Sequence, residues 1–351
     1  MQNEELKPQN NTITEQPQKT KILCINFNQD HSCIAVGTET GFKIINTNPF
    51  KDEYTRELNG GIGLISMLNR SNILTLVGGG KNPKFPPNKL ILWDEEQGEV
   101  ISEINFSNNI INTKMKEERI FVICLEKIYI FDFDTLSLID TVETNNTKGL
   151  LAIATKENII AFPEKYNVGC IRIKNYDKKN ETMIHAHKKN VNFIELNNNG
   201  TILATASLKG TFIRIFNTTN NNLIQEVRRG KEPADVFSIS FDYSSKYFVV
   251  SSDRPTIHIF FLNNNSENMT KESAEEFNKS IFGGNIFEAR RRFFGAEWRS
   301  FAKYYIDSQK SISTFGPNNS IIVVTGDGKY IQAKFDPVNG GDCQKILEQS
   351  F

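Results

Sequence analysis

The segment best suited to chemistry is Leu223-Ile224-Gln225-Glu226-Val227-Arg228-Arg229-Gly230. In an extended strand neighbouring side chains leave on opposite faces, so Arg228 and Arg229 at its end diverge and one motif can serve two sites. Each guanidinium is a planar fork of donors matched to phosphate oxygens, and Gly230 turns the chain with no Cβ to obstruct a headgroup. Alone, a double Arg before a Gly better describes a solvated charge pair. The flanks shift the balance. Upstream, Ala204-Thr205-Ala206-Ser207-Leu208-Lys209-Gly210-Thr211 sets hydroxyls and a Lys on a turn, with Arg214 following and His187 in the preceding unit. Downstream, Ser251-Ser252-Asp253-Arg254-Pro255-Thr256-Ile257-His258 repeats the arrangement. Two similar clusters, one on each side of the double Arg, are more than solvated surface would supply. For single members a structural role stays open: Thr211 and Thr256 can satisfy turns, and Arg214 can pair with a carboxylate of its own unit.

The elements that must hold these residues are short. From Lys21 onward, alternating or β-branched runs such as ILCINF, SCIAVG, FKIINT, ILTLVG and KIYIFDF are punctuated by Gly, Asn and Asp, and helical periodicity is nearly absent. Aligning the runs exposes a repeat of strand, tight polar turn and strand, seen from Val36, Ala206, Ser251 and Thr325. Ser207 and Ser252 recur at a spacing close to the ~40–45 residues of a four-stranded propeller blade. Trp93-Asp94 closes one unit like a WD repeat, with Ile45-Asn46, Phe131-Asp132 and Phe216-Asn217 in equivalent places. The pattern predicts an all-β, seven-bladed β-propeller of WD-repeat type over 21–338, with blades near 22–58, 62–106, 110–143, 147–185, 190–227, 235–262 (its last part displaced) and 312–336. Residues 1–20 read as a polar tail, 263–310 as a long insertion in the sixth blade, and 339–351 as a C-terminal tail.

Composition narrows the function classes. The 41 basic residues balance the 41 acidic ones, so no global field draws the chain to nucleic acid and any anion site is local. Five scattered cysteines without C-x-x-C fit neither a disulfide framework nor a zinc knuckle, and point to a reducing cytosol. No stretch is long and apolar enough to span a membrane. Four histidines and no H-E-x-x-H, G-x-S-x-G or Walker motif leave no catalytic set, metal site or cofactor site. The insertion carries a different signal: aromatics at 287, 294, 298, 301 and 305 trace one helical stripe among arginines, as an interfacial anchor would. Part of that stripe, Trp298 to Tyr305, reads alternatively as ordinary propeller core or strand.

The run ATASLKGTFIRIFNT, LIQEVRRG, SSDRPTIHIF resembles the PROPPINs, seven-bladed propellers that bind phosphoinositides, and Gly78 to Leu90 leading into Trp93-Asp94 resembles the WIPI-like subgroup named WD repeat domain forty-five. The likeness runs from Lys21 to about Pro337, with Val227 where Phe or Leu is usual and Arg254-Pro255 in place of a Lys-Gly turn. It implies a first headgroup pocket of Arg228 with His187, Ser207, Lys209, Thr211 and Arg214, and a second of Arg229 with Ser252, Thr256 and His258, Gly230 lying between them. The implied ligands are phosphatidylinositol 3-phosphate and the 3,5-bisphosphate. It further implies a membrane-inserting loop using Phe287, Phe293, Phe294 and Trp298. The implied role is a non-enzymatic, monomeric, cytoplasmic effector at phagophore assembly sites and endosomes. The Pro-rich loop Lys81 to Lys89 is a candidate partner site through Pro87, Asn88 and Lys89, the implied partner being a rod-shaped autophagy lipid-transfer protein. A stiff turn spacing two strands, and a WD-repeat scaffold binding only proteins, are the alternatives. Phosphate recognition is expected to depend on salt and, through His187 or His258, to strengthen toward acidic pH.

Overall fold

Short β-branched runs cannot bury both faces alone, so each four-stranded unit must stack on its neighbours. A computed structural model, describing residues 20–262, 299–308 and 310–351, has seven such sheets. Blade 1 is Ile22–Phe27, Cys33–Thr38, Gly41–Thr47 and Phe50–Glu57; blade 2 is Ile62–Met67, Ile73–Gly78, Lys89–Asp94 and Glu99–Asn105. Blade 3 is Asn112–Lys116, Arg119–Ile123, Lys127–Asp132 and Leu138–Glu143; blade 4 is Ala152–Ile153, Ile159–Pro163, Cys170–Asn175 and Asn180–His185. Blade 5 is Val191–Leu196, Ile202–Ser207, Phe212–Asn217 and Leu223–Arg228. Blade 6 is Val236–Phe241, Tyr247–Ser252, Thr256–Phe261 and Ala302–Tyr305; blade 7 is Ser311–Gly316, Ser320–Thr325, Lys329–Lys334 and Gln344–Ser350. The first strands of all seven line a central channel of about 1120 Å³. Second strands such as CIAVGT, YFVVSS and SIIVVT are wholly buried, whereas the outer strand FKDEYTRE is largely exposed.

Between blades, apolar wedges are joined by buried hydroxyls that bond backbone on the neighbour. Ser66 Oγ donates to the Thr113 carbonyl at 2.7 Å, and Ser251 Oγ to the Ser311 carbonyl at 2.7 Å. Among the described residues, blades 7 and 1 close the ring without exchanging a strand. Their seam packs Ile322, Val324 and Tyr330 against Ile34, Val36 and Ile45. The fully buried Tyr330 stacks at 4.4 Å from Phe50 and donates from its hydroxyl to the Thr47 carbonyl at 2.8 Å.

Two boundaries differ from the sequence reading. Residues 339–351 are not a tail: Gln344–Ser350 pairs with Lys329–Lys334 as the outer strand of blade 7. Its side chains are mostly exposed, so it lacks the apolar alternation that marks the inner strands. On the way there, Gly341–Asp342 adds a parallel bridge outside Ala302–Lys303 of blade 6. Gly340 makes this approach possible, since it sits at φ +68° and a Cβ there would fall 2.1 Å from the Phe301 carbonyl oxygen. The insertion is also narrower than 263–310, because Ala302–Tyr305 is the displaced outer strand of blade 6. Phe301 packs 5.6 Å from Tyr247, so Phe301 and Tyr305 of the aromatic stripe belong to the blade edge.

Tyr330→Phe is expected to cost about 1 kcal/mol by stranding the Thr47 carbonyl, and Tyr330→Ala about 3–5 kcal/mol by opening a cavity at the seam. Urea unfolding should show midpoints falling in that order.

Candidate functional site

The predicted site residues fall on blade 5, on the links either side of it and on blade 6. In the outer strand of blade 5, Val227 is fully buried in the wedge shared with Val236, Phe248 and Phe260, while Arg228 is half-buried. Arg228 pairs in register with Phe212, its guanidinium 5.9 Å from that ring, and Nε donates to the Gly230 carbonyl at 3.3 Å. Arg229 is buried. Its Nε donates to the Gly210 carbonyl at 2.8 Å and a terminal nitrogen to the Glu232 carbonyl at 2.5 Å, fastening the blade 5 turn to the link into blade 6. Burial lowers its pKa from the usual guanidinium value, with Asp253 and Glu232 acting in the opposite direction. A Cβ on Gly230 would meet no atom within 4 Å, and its φ is not positive, so the fold itself does not demand glycine there.

The first predicted cluster lies on blade 5 and the link that precedes it. His187 is buried, its Nε2 3.0 Å from Thr205 Oγ1; burial, reinforced by the Arg214 charge, pushes its pKa down to about 3. Arg214 is committed inside its own blade. It pairs with the fully buried Glu226 at 2.7 Å, directly across the ladder, and donates to the Ala186 carbonyl at 2.6 Å. Thr211 is buried and its carbonyl accepts from the Arg229 amide at 2.9 Å, whereas Ser207 is half-buried and Lys209 exposed.

The second cluster lies on blade 6. Ser252 is buried, its hydroxyl accepting from the Arg254 amide at 3.2 Å, and Thr256 is half-buried. His258 Nδ1 lies 2.7 Å from Ser300 Oγ. Burial, with the positive charges of Arg229 and Lys303, drives its pKa to about 3. Both histidines are therefore neutral near pH 7, contrary to the expected gain of charge toward acidic pH. Ser300 and Lys303 are members that the sequence reading missed. Lys303 stands opposite His258 in register, but the intervening insertion hides this from any linear motif.

Of the remaining candidates, Phe287, Phe293, Phe294 and Trp298 lie outside the described residues. Pro87, Asn88 and Lys89 end the loop between the second and third strands of blade 2. Pro87 is exposed, Asn88 Nδ2 donates to the Phe106 carbonyl at 2.9 Å, and Lys89 pairs with Glu103 at 2.9 Å.

Residues 21–351 match the sequence family described as PROPPIN. The chain belongs to the PROPPIN family. Among relatives of this PROPPIN, autophagy-related protein 18 of Dictyostelium discoideum is 35% identical, with 94% of this chain and 93% of that one covered. Autophagy-related protein 18e of Arabidopsis thaliana is 31% identical over 94% of this chain and 88% of its own length. The PROPPIN fold is also that of Kluyveromyces lactis Hsv2, with a TM-score of 0.75 at 22% identity, covering 94% of this chain and 99% of that one. A chain of the complex of KlAtg21 with the coiled-coil of AgAtg16 superposes with a TM-score of 0.74 at 20% identity, with 94% and 99% covered.

Arg214→Ala would leave the Glu226 carboxylate buried without its guanidinium, and is expected to cost about 3–5 kcal/mol. The double variant Arg214→Met/Glu226→Leu should recover most of that loss in chemical denaturation.

Proposed function

We propose that the chain is a phosphoinositide effector that binds phosphatidylinositol 3-phosphate and the 3,5-bisphosphate and recruits autophagy machinery to forming autophagosome membranes. PROPPIN membership and relatives named as autophagy-related proteins support the setting. One observation carries the chemistry: two adjacent arginines, the last residue of a strand and the one after it, stand between two polar clusters beside a glycine that the fold does not need. In this reading Arg228 serves the first headgroup with Ser207, Lys209, Thr211 and His187, and Arg214 acts by positioning the wall that holds His187. Arg229 serves the second with Ser252, Thr256 and His258, and Lys303 adds positive charge there. Neutral histidines contribute hydrogen bonds to phosphate rather than charge. Phe287, Phe293, Phe294 and Trp298 enter the bilayer and raise the effective concentration of both pockets. No turnover belongs to this role.

The blade 2 loop is proposed to hold a rod-shaped autophagy lipid-transfer protein through Pro87, Asn88 and Lys89. The complex of KlAtg21 with a coiled-coil supports the general form of an elongated partner.

Flotation with liposomes containing phosphatidylinositol 3-phosphate tests the reading. Wild type should float and weaken with added salt; histidines with pKa values near 3 add no charge of their own between pH 6 and 8, so any change in affinity over that window should follow the second ionisation of the phosphate. Arg228→Thr/Arg229→Thr should not float. Arg228→Thr, which spares the carbonyl clasp of Arg229, should lose about tenfold in affinity with thermal unfolding unchanged. Arginine-independent flotation would leave a protein-binding propeller.

A further inference from the structure

The turns between second and third strands, and the links from one blade to the next, share the face that carries Arg228-Arg229-Gly230. In three consecutive blades the turn tips are apolar and exposed: Leu125 at 43% in blade 3, Tyr166 at 75% and Val168 at 63% in blade 4, and Leu208 at 49% in blade 5. The equivalent turns of blades 1, 6 and 7 hold Glu39-Thr40, Asp253-Arg254-Pro255 and Gly326-Asp327-Gly328. A single exposed apolar side chain is ordinary, but a row of them on one arc is not.

Backbone bonds make the arc continuous. The Asn146 amide bonds the Leu125 carbonyl at 2.8 Å, the Ala186 and His187 amides bond the Gly169 carbonyl at 3.0 Å, and the Leu208 amide bonds the Asn190 carbonyl at 2.9 Å. The Ala234 amide then bonds the Lys209 carbonyl at 3.1 Å, and Arg229 grips Gly210, so the arc runs into the double Arg. Lysines flank every tip: exposed Lys127 after Leu125, Lys165 before Tyr166, exposed Lys188 and Lys189 after His187, and exposed Lys209 after Leu208. Of the nearby acids, Glu164 is occupied by the Tyr166 and Asn167 amides and Glu143 by Lys165, while Glu126 adjoins Lys127.

We propose that this arc is a second contact with an anionic bilayer, independent of phosphoinositide headgroups. Tyr166, Val168, Leu208 and Leu125 enter the interfacial layer while the lysines meet anionic lipid and lay their stems along it. Separate knobs between charged stems suit a deformable lipid surface; a protein helix would call for a continuous apolar groove. The inference rests on the membrane reading above.

The test labels Val168→Cys and Leu208→Cys singly with a polarity-sensitive fluorophore, with Tyr54→Cys on the outer strand of blade 1 as a distant control and labelled wild type as the blank. Vesicles contain phosphatidylcholine and phosphatidylserine, with or without phosphatidylinositol 3-phosphate. The expected result with phosphoinositide vesicles is a blue shift at 168 and 208 but not at 54. Tyr166→Ser/Val168→Ser/Leu208→Ser should lower vesicle affinity about tenfold, retain affinity for the soluble inositol 1,3-bisphosphate headgroup, and unfold at the wild-type temperature. Vesicle binding with no shift at 168 and 208, or an undiminished triple variant, overturns the arc alone and leaves it to a protein partner. Failure of wild type to bind phosphoinositide vesicles overturns both readings.

Discussion

Ring closure is the constraint on which the rest of the molecule depends. The four main strands of each blade follow one another in the chain, and among the described residues no strand passes between the first blade and the last. The seam must therefore hold by side chains. Tyr330 does much of this, with its ring on Phe50 and its hydroxyl on the Thr47 carbonyl, and Thr314 Oγ1 reaches His31 Nδ1 at 2.7 Å beside it. Burial pushes the His31 pKa down to about 4, which suits a neutral ring placed between blades. With the seven wedges closed, each inter-blade distance is fixed by packing rather than by loops, and groups on adjacent blades can be held in register.

The junction of blades 5 and 6 depends on that rigidity. Arg229 uses two backbone carbonyls from either side of the junction, so the same side chain is both a structural clasp and a charge in a polar cluster. Arg228 is less enclosed and rests against Phe212. The two adjacent arginines thus differ in enclosure and in partners. Buried Glu226 plays a quieter part by fixing Arg214, and with it the electrostatic surroundings of His187.

Much of this was legible in the sequence because propeller blades repeat their punctuation. Alternating inner strands, the Trp93-Asp94 closure and the paired hydroxyl turns gave blade positions that agree with the observed strands. Legibility failed where a strand is exposed on most sides, as in Gln344–Ser350, since no apolar period marks it. It failed again where chain continuity breaks: Ser300 and Lys303 meet His258 only because the outer strand of blade 6 returns after the insertion. The ionisation of the histidines was out of reach for a related reason, because their depth depends on neighbours distant in the chain.

The short parallel bridge of Gly341–Asp342 on Ala302–Lys303 has a consequence for self-association. An outer strand that returns to its blade after a long insertion would otherwise offer unpaired amides and carbonyls as a template for strand addition by another molecule. The bridge covers the start of that edge with the chain's own backbone, anchored by the Gly341 amide on the Phe301 carbonyl and the Cys343 amide on the Lys303 carbonyl. Strand addition by another molecule would have to displace this bridge before it could reach the start of the blade edge.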